Sequence, residues 1–218
     1  MGLIEEFLIS IPIVAWVSFV VFVLTKKLYH YMVSKGVPEN VAIYYNRKII
    51  HITAGGLVLS VPFLFHSPVV PLTLTLALTL LLLFRRKKGR MYWFQTEDND
   101  YEVHFTFMAF VMLALGYALG NVWYGVLPAA FMAIGDGVTG IIRNYLFKRR
   151  TKSWWDNLGM LVVNAAIGSL AGLPGIVAGI AASVVERFEF LDGKIDDNIT
   201  VPLVSFVLLV TLDKLLRC

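Results

Sequence analysis

The sequence predicts an all-α integral membrane protein of about eight transmembrane helices arranged as hairpins, and three observations carry that prediction: the composition, the charge-free stretches and the placement of basic residues. The chain is 58% hydrophobic and 16% charged, with a mean hydropathy of +0.73, which is too apolar for a soluble domain of this size. Residues 7–25, 49–84, 103–135, 157–185 and 199–212 contain no Asp, Glu, Lys or Arg. As one helix, 49–84 would run about 54 Å against a hydrocarbon core of about 30 Å, so it must reverse. Pro62, Pro68 and Pro71 mark that turn, Gly120-Asn121 marks one in 103–135, and Gly172-Leu173-Pro174-Gly175 marks one in 157–185. The order is then one crossing, three hairpins and a last crossing.

Taken in order, the first apolar stretch reads as a retained helix. Glu5 and Glu6 precede it instead of a basic region, and no small-residue cleavage site follows. Hairpin parity puts 26–48, 85–102, 136–156 and 186–198 on one side, and these segments hold 17 of the 19 basic residues. Cytoplasmic loops collect Lys and Arg, so this side is expected to be cytoplasmic, with both termini outside. The net charge of +4 then reflects topology and is no sign of nucleic-acid binding. The polar stretch from Arg85 to Glu102 reads as a solvated loop anchoring helix ends. The last span, 199–212, covers only about 21 Å before Asp213 and predicts a partial or tilted helix. Cys218 is the only cysteine, so neither a disulfide nor a Cys-based metal site is expected, and oligomeric state is left open.

Four constellations stand out from this apolar background. Asp196 and Asp197 open the last helix; in a membrane such carboxylates either sit in interfacial water or hold a cation. Asp136 follows the charge-free stretch 103–135 and shares a helix face with Gly140, Arg143 and Asn144 at i+4, i+7 and i+8. Gly135, Gly137 and Gly140 let a phosphate or a neighbouring helix approach the backbone. The competing reading is that these glycines only serve helix packing while Asp136 pairs with Arg143. The run Lys148-Arg149-Arg150-Thr151-Lys152-Ser153 is positive-inside decoration or a phosphate cradle, and Trp154-Trp155 after it suit the headgroup level. Arg47, His51 and Gly55 fall at i, i+4 and i+8, with Lys48 beside them; there His51 is either a packed residue or one that accepts a proton or orients a hydroxyl. His30, His66 and His104 have no such company and read as structural.

In order, Arg47-Lys48-Ile49-Ile50-His51 with Gly55, Gly135-Asp136-Gly137 with Gly140, Lys152-Ser153 and Asp196-Asp197-Asn198-Ile199-Thr200-Val201-Pro202 resemble the motifs of the CTP-dependent polyprenol kinase family. That family includes dolichol kinase, phytol kinase and the CTP-dependent diacylglycerol kinase, and the chain looks closest to an archaeal dolichol kinase-like branch. The resemblance covers residues 46–205 of what reads as a single transmembrane domain, 1–218, leaving 1–45 outside it. It implies transfer of the γ-phosphoryl group of CTP to a lipid alcohol. By the same analogy Asp136, Asp196 and Asp197 hold Mg²⁺; Arg47, Lys48, Gly137, Gly140, Arg149, Arg150, Lys152, Ser153 and Asn198 bind the nucleotide; and Asp136, His51 and Asp197 are catalytic. Trp154-Trp155-Asp156-Asn157 departs from the small, Gly-containing sequence that many members carry after Lys-Ser. Phosphoryl transfer asks a protein mainly for positioning and charge neutralisation, which carboxylates and cations on one face supply.

Two other functions fit parts of this pattern. A CTP-dependent lipid cytidylyltransferase shares the Gly-Asp and basic-run style, but the His-Gly-Gly and Asp-Arg-x-Asp signatures usual there are missing from the sequence. An ion-coupled transporter could use Asp136 between broken helices, yet the polar residues gather at one face and no inverted repeat is evident.

Overall fold

A computed structural model describes residues 2–97, 99–147, 154–188 and 196–217; of Phe147 and Trp154 only the backbone is described. Among the described residues all regular structure is helical, and seven segments are long and apolar enough to cross a membrane. The first run comprises α1 (Leu3–Ser18), a π-helical stretch (Phe19–Leu24) and α2 (Thr25–Ser34). Next come α3 (Glu39–Thr53), a 3₁₀ stretch (Gly55–Ser60) and α4 (Val61–Leu64), followed by α5 (Val69–Lys88) and α6 (Tyr101–Ala118). α7 (Trp123–Ala130) continues through a π-helical turn (Phe131–Gly135) into α8 (Asp136–Phe147). α9 (Trp154–Gly168), α10 (Gly172–Arg187) and α11 (Asp197–Arg217) complete the chain.

The turns come where local chemistry demands them. The chain reverses between Leu64 and Val69, around Pro68. Gly120 closes α6 at φ 74°, a conformation costly for any residue with a Cβ, and its N–H donates to Tyr117 O. The segment Trp155–Arg187 doubles back at Gly172 (φ 66°), so α9 and α10 form a tight antiparallel hairpin. Its two backbones nearly touch: a Cβ on Gly168 would lie 2.2 Å from Gly175 O, and one on Gly179 would lie 2.4 Å from Asn164 O. Lipid is as apolar as any side chain, so close backbone packing of small residues, more than hydrophobic burial, holds such helices together.

The α7–α8 rod is the innermost. Val126, Leu127, Ala129, Ala130, Phe131, Met132 and Ala133 are all essentially fully buried, and Phe105, Met112, Met160, Ala182, Val201 and Leu209 pack around them from α6, α9, α10 and α11. Outward-facing Ile4, Leu8, Phe63, Leu80, Val162 and Leu173 present an exposed apolar surface of the kind that suits lipid.

Three expectations change. Residues 26–48 are no loop: α2 carries the first rod on to Ser34, and α3 begins at Glu39 and packs against it. The stretch after α5 is anchored, not freely solvated. Trp93 Nε1 donates to Val21 O (2.8 Å), Asn46 Nδ2 donates to Trp93 O (2.8 Å) and Thr25 O (2.7 Å), and Arg86 pairs with Asp100 and Glu102. The final helix is also longer than 199–212. Asp213 is satisfied by Tyr124 Oη and by Arg217 (2.9 Å), so helix continues to Arg217, about 31 Å in all.

Candidate functional site

One end of the bundle collects α3, the start of α6, α8 and the start of α11 around a cavity of about 280 Å³. Its charged lining is Arg47, Lys48, Asp136, Arg143 and Asp197, with Asn144 and Asn198 beside them. Asp136 is the first residue after the π-helical turn, an irregularity that re-aims side chains and recurs at functional sites.

Asp136 is buried and tied to α3. Lys48 Nζ lies 2.5 Å from its Oδ1 and 2.6 Å from its Oδ2. The glycines of α8 make this contact possible: a Cβ on Gly140 would fall 2.4 to 2.6 Å from the Lys48 side-chain carbons, and one on Gly137 would fall 2.3 Å from Ile52 Cγ1. Gly137 and Gly140 therefore face a helix and its lysine, where the resemblance implied a nucleotide. His51 Nδ1 is 3.0 Å from Asp136 Oδ2, without the alignment of a proper hydrogen bond, and its ring stacks on Phe105 at 4.0 Å between centroids. It is buried beside Asp136 and is not among the residues that line the cavity.

Arg143 pairs elsewhere than with Asp136. Its Nε and Nη2 donate to Asp156 Oδ2 at 2.8 and 2.5 Å, and its Nη2 also donates to Glu186 Oε1 at 3.0 Å. Asn157 Nδ2 donates to Glu186 Oε2 at 3.2 Å, which knits α8, α9 and α10 together in a buried network. The i, i+7 pairing of Asp136 with Arg143 within α8 is thus replaced by one cation from α3 and two carboxylates from the α9–α10 hairpin.

Asp136, Glu186 and Asp197 converge, each with a carboxylate oxygen within 4.8 Å of the others. Three hard oxygen donors suit Mg²⁺, and the buried Asn198 Oδ1, which has no hydrogen-bond partner among the described residues, supplies the kind of neutral oxygen such sites recruit. Asp196, expected as a third metal ligand, lies outside this group of three. Its Oδ1 accepts from the Asn198 N–H (3.1 Å), the bond of a helix N-cap, and its Oδ2 lies 3.0 Å from His104 Nδ1. Asn198 closes the turn through Nδ2, 3.1 Å from both Asp196 oxygens. His104, read as structural, thus has a carboxylate partner.

Arg47 extends over the Tyr101 ring, 4.9 Å from its centroid, and has no carboxylate partner among the described residues. The other described cations of the lining, Lys48 and Arg143, are both paired with carboxylates. Arg149, Arg150, Lys152 and Ser153 lie outside the described residues.

Glu186 escapes the sequence reading, Asn144 enters it only as part of the Asp136 face, and 85–102 reads as an anchor. Glu186 was findable, since it follows 157–185 just as Asp136 follows 103–135. The lining residues Thr96, Asn99 and Tyr101 carry no signal in their spacing; the tethering by Arg86 and Trp93 brings them here. No protein-family model, curated protein or solved structure matches this chain.

Proposed function

We propose that this protein is a membrane-embedded lipid kinase that transfers the γ-phosphoryl group of CTP to an isoprenoid or related lipid alcohol. The observation that carries the proposal is the meeting of Asp136, Glu186 and Asp197, from three separate helices, with Arg47 and Lys48 at one end of an apolar bundle. The order and spacing of the motifs described above supply the donor and the acceptor class.

Asp136, Glu186 and Asp197 would hold Mg²⁺, which neutralises phosphate charge when bound. Arg47 engages the triphosphate, and Lys48 holds Asp136 in place through Gly140. His51 and Phe105 fix Asp136 from behind, and Arg143 does the same for Glu186. The alcohol stays in the bilayer, so only its hydroxyl has to reach the cavity. Its oxygen bonds to the γ-phosphorus as the bond to the β–γ bridging oxygen breaks, and CDP leaves. The hydroxyl proton goes to Asp197, the least buried of the three carboxylates. The excess of Lys and Arg supports a cytoplasmic site end, and a crossing by each arm of the α9–α10 hairpin would make eight crossings.

Purified protein is incubated with a polyprenol and CTP labelled at either the α- or the γ-phosphate. The γ-label should enter the lipid phase while the α-label stays in soluble CDP. An α-label appearing on lipid, with pyrophosphate released and only when a lipid phosphate is supplied, would make the protein a cytidylyltransferase. Ion movement across vesicles, with neither label transferred to any alcohol or lipid phosphate, would make it a transporter.

A further inference from the structure

The cavity has two chemically different halves. The charged half, described above, comes from α3, α8 and α11. The other side is neutral among the described residues and comes mainly from the stretch between α5 and α6: Thr96, Asn99 and Tyr101 line it, and Asn40 of α3 lines the cavity with them. Thr96 Oγ1 and Asn99 Oδ1 are both shielded from solvent and have no hydrogen-bond partner among the described residues. Shielded oxygens of this kind lose free energy unless something pairs with them. An amide oxygen repels phosphate, whereas it accepts readily from an amine; the threonine hydroxyl donates to a ring nitrogen.

The stretch is held in place for this task. Arg86 Nη1 donates to Thr96 O at 3.2 Å, and its Nη2 donates to Glu97 O at 3.0 Å. Gln95 Nε2 donates to Glu102 Oε1 at 2.8 Å, and its Oε1 accepts from the Met91 N–H at 2.7 Å. A binding edge fixed beforehand spends less affinity on its own ordering. Tyr101 stands at the border, its ring under the Arg47 guanidinium, so one cation touches both halves.

We propose that this neutral half is the nucleobase subsite, in which Asn99 Oδ1 accepts from an exocyclic amine, Thr96 Oγ1 donates to the adjacent ring nitrogen, and Tyr101 supplies an aromatic wall. This rests on the kinase reading for the presence of a nucleotide, and adds which bases fit. The donor-next-to-acceptor edge belongs to cytosine and adenine. Uracil and guanine present the reverse, a carbonyl beside a ring N–H. The subsite therefore selects cytosine and adenine, whose exocyclic amine adjoins an unprotonated ring nitrogen, and the charged half is indifferent to the base.

The test measures binding of CTP, UTP and inorganic tripolyphosphate, each with Mg²⁺, to the full chain in lipid nanodiscs. Wild type should favour CTP over UTP by about tenfold, the worth of roughly one well-made hydrogen bond. Asn99→Ala and Thr96→Val should bring that ratio towards unity while changing tripolyphosphate affinity less than about twofold, and Thr96→Ser should restore the preference. An unchanged ratio in both variants, or equal losses of CTP and tripolyphosphate, overturns the subsite and leaves the kinase reading standing. Wild-type protein that binds none of the three ligands overturns both.

Discussion

At the scale of single residues, the site depends on how each carboxylate is partnered. Asp136 and Lys48 form a buried ion pair, and such a pair stabilises only when its geometry is good and its remaining hydrogen-bonding capacity is met. Here Lys48 reaches both oxygens and His51 stands behind one of them. Asp136 and Asp196 are identical in chemistry and opposite in expected effect. Asp136→Asn, Glu186→Gln and Asp197→Asn should each lower turnover by about 10²-fold or more, since each strips charge worth several kcal/mol from the candidate metal cluster. Asp196→Asn should keep activity within about tenfold, because Asn caps a helix as well as Asp does. Initial rates across a Mg²⁺ titration check this. A variant of the cluster with normal activity at low Mg²⁺ would remove that residue from the set, and an inactive Asp196→Asn would put Asp196 back.

At the scale of elements, glycines set the distances between helices, and those distances set the site. Gly168 and Gly175 bring α9 against α10, and the same hairpin carries Asp156 at the start of α9 and Glu186 near the end of α10. Gly168→Val should push the arms apart, destabilise the protein by about 1–3 kcal/mol and lower activity by displacing Glu186. Gly140→Val acts on another pair, since its side chain would occupy the path of Lys48 across α8. It should cost activity more than stability, as the helix ends remain free to adjust. Thermal unfolding in nanodiscs together with assays on the same samples separates the two. A Gly140→Val protein with wild-type rates would show that Lys48 has no part in turnover.

At the scale of the molecule, the turns divide between two ends. Glu6 accepts from the His66 and Ser67 N–H groups at 2.8 and 3.0 Å, which fixes the reversal before α5 beside the start of the first rod. Asn46, Trp93 and Arg143 knit the opposite end, where the cavity lies. With Cys218 replaced by Ser, single cysteines at Lys35 and Lys87 should react with an impermeant thiol reagent from the cytoplasmic side only. Cysteines at Leu119 and Leu170 should react from the outside only. Leu170 labelled from within would mean that the α9–α10 hairpin does not cross, and Lys35 labelled from outside would invert the whole scheme.

The sequence by itself determined the membrane class, the helical architecture and most of the turns, because lipid forces every backbone group into a helix and penalises each stray charge, so the charge-free runs are legible by eye. It also singled out Asp136, Asp197 and Lys48, whose polarity is anomalous against an apolar background. Partnership was decided only by tertiary structure. Asp136 is 88 positions from Lys48, and Arg143 is 43 from Glu186, separations that no helical periodicity relates. The hard oxygens of the candidate metal site were divided in the same way: folding turned Asp197 towards Asp136 and Glu186, and turned its neighbour Asp196 back to cap α11, because adjacent residues at a helix start point in different directions. The neutral half of the cavity was equally invisible, since Thr96, Asn99 and Tyr101 reach it only through the bonds that Arg86, Gln95 and Trp93 make to distant parts of the chain.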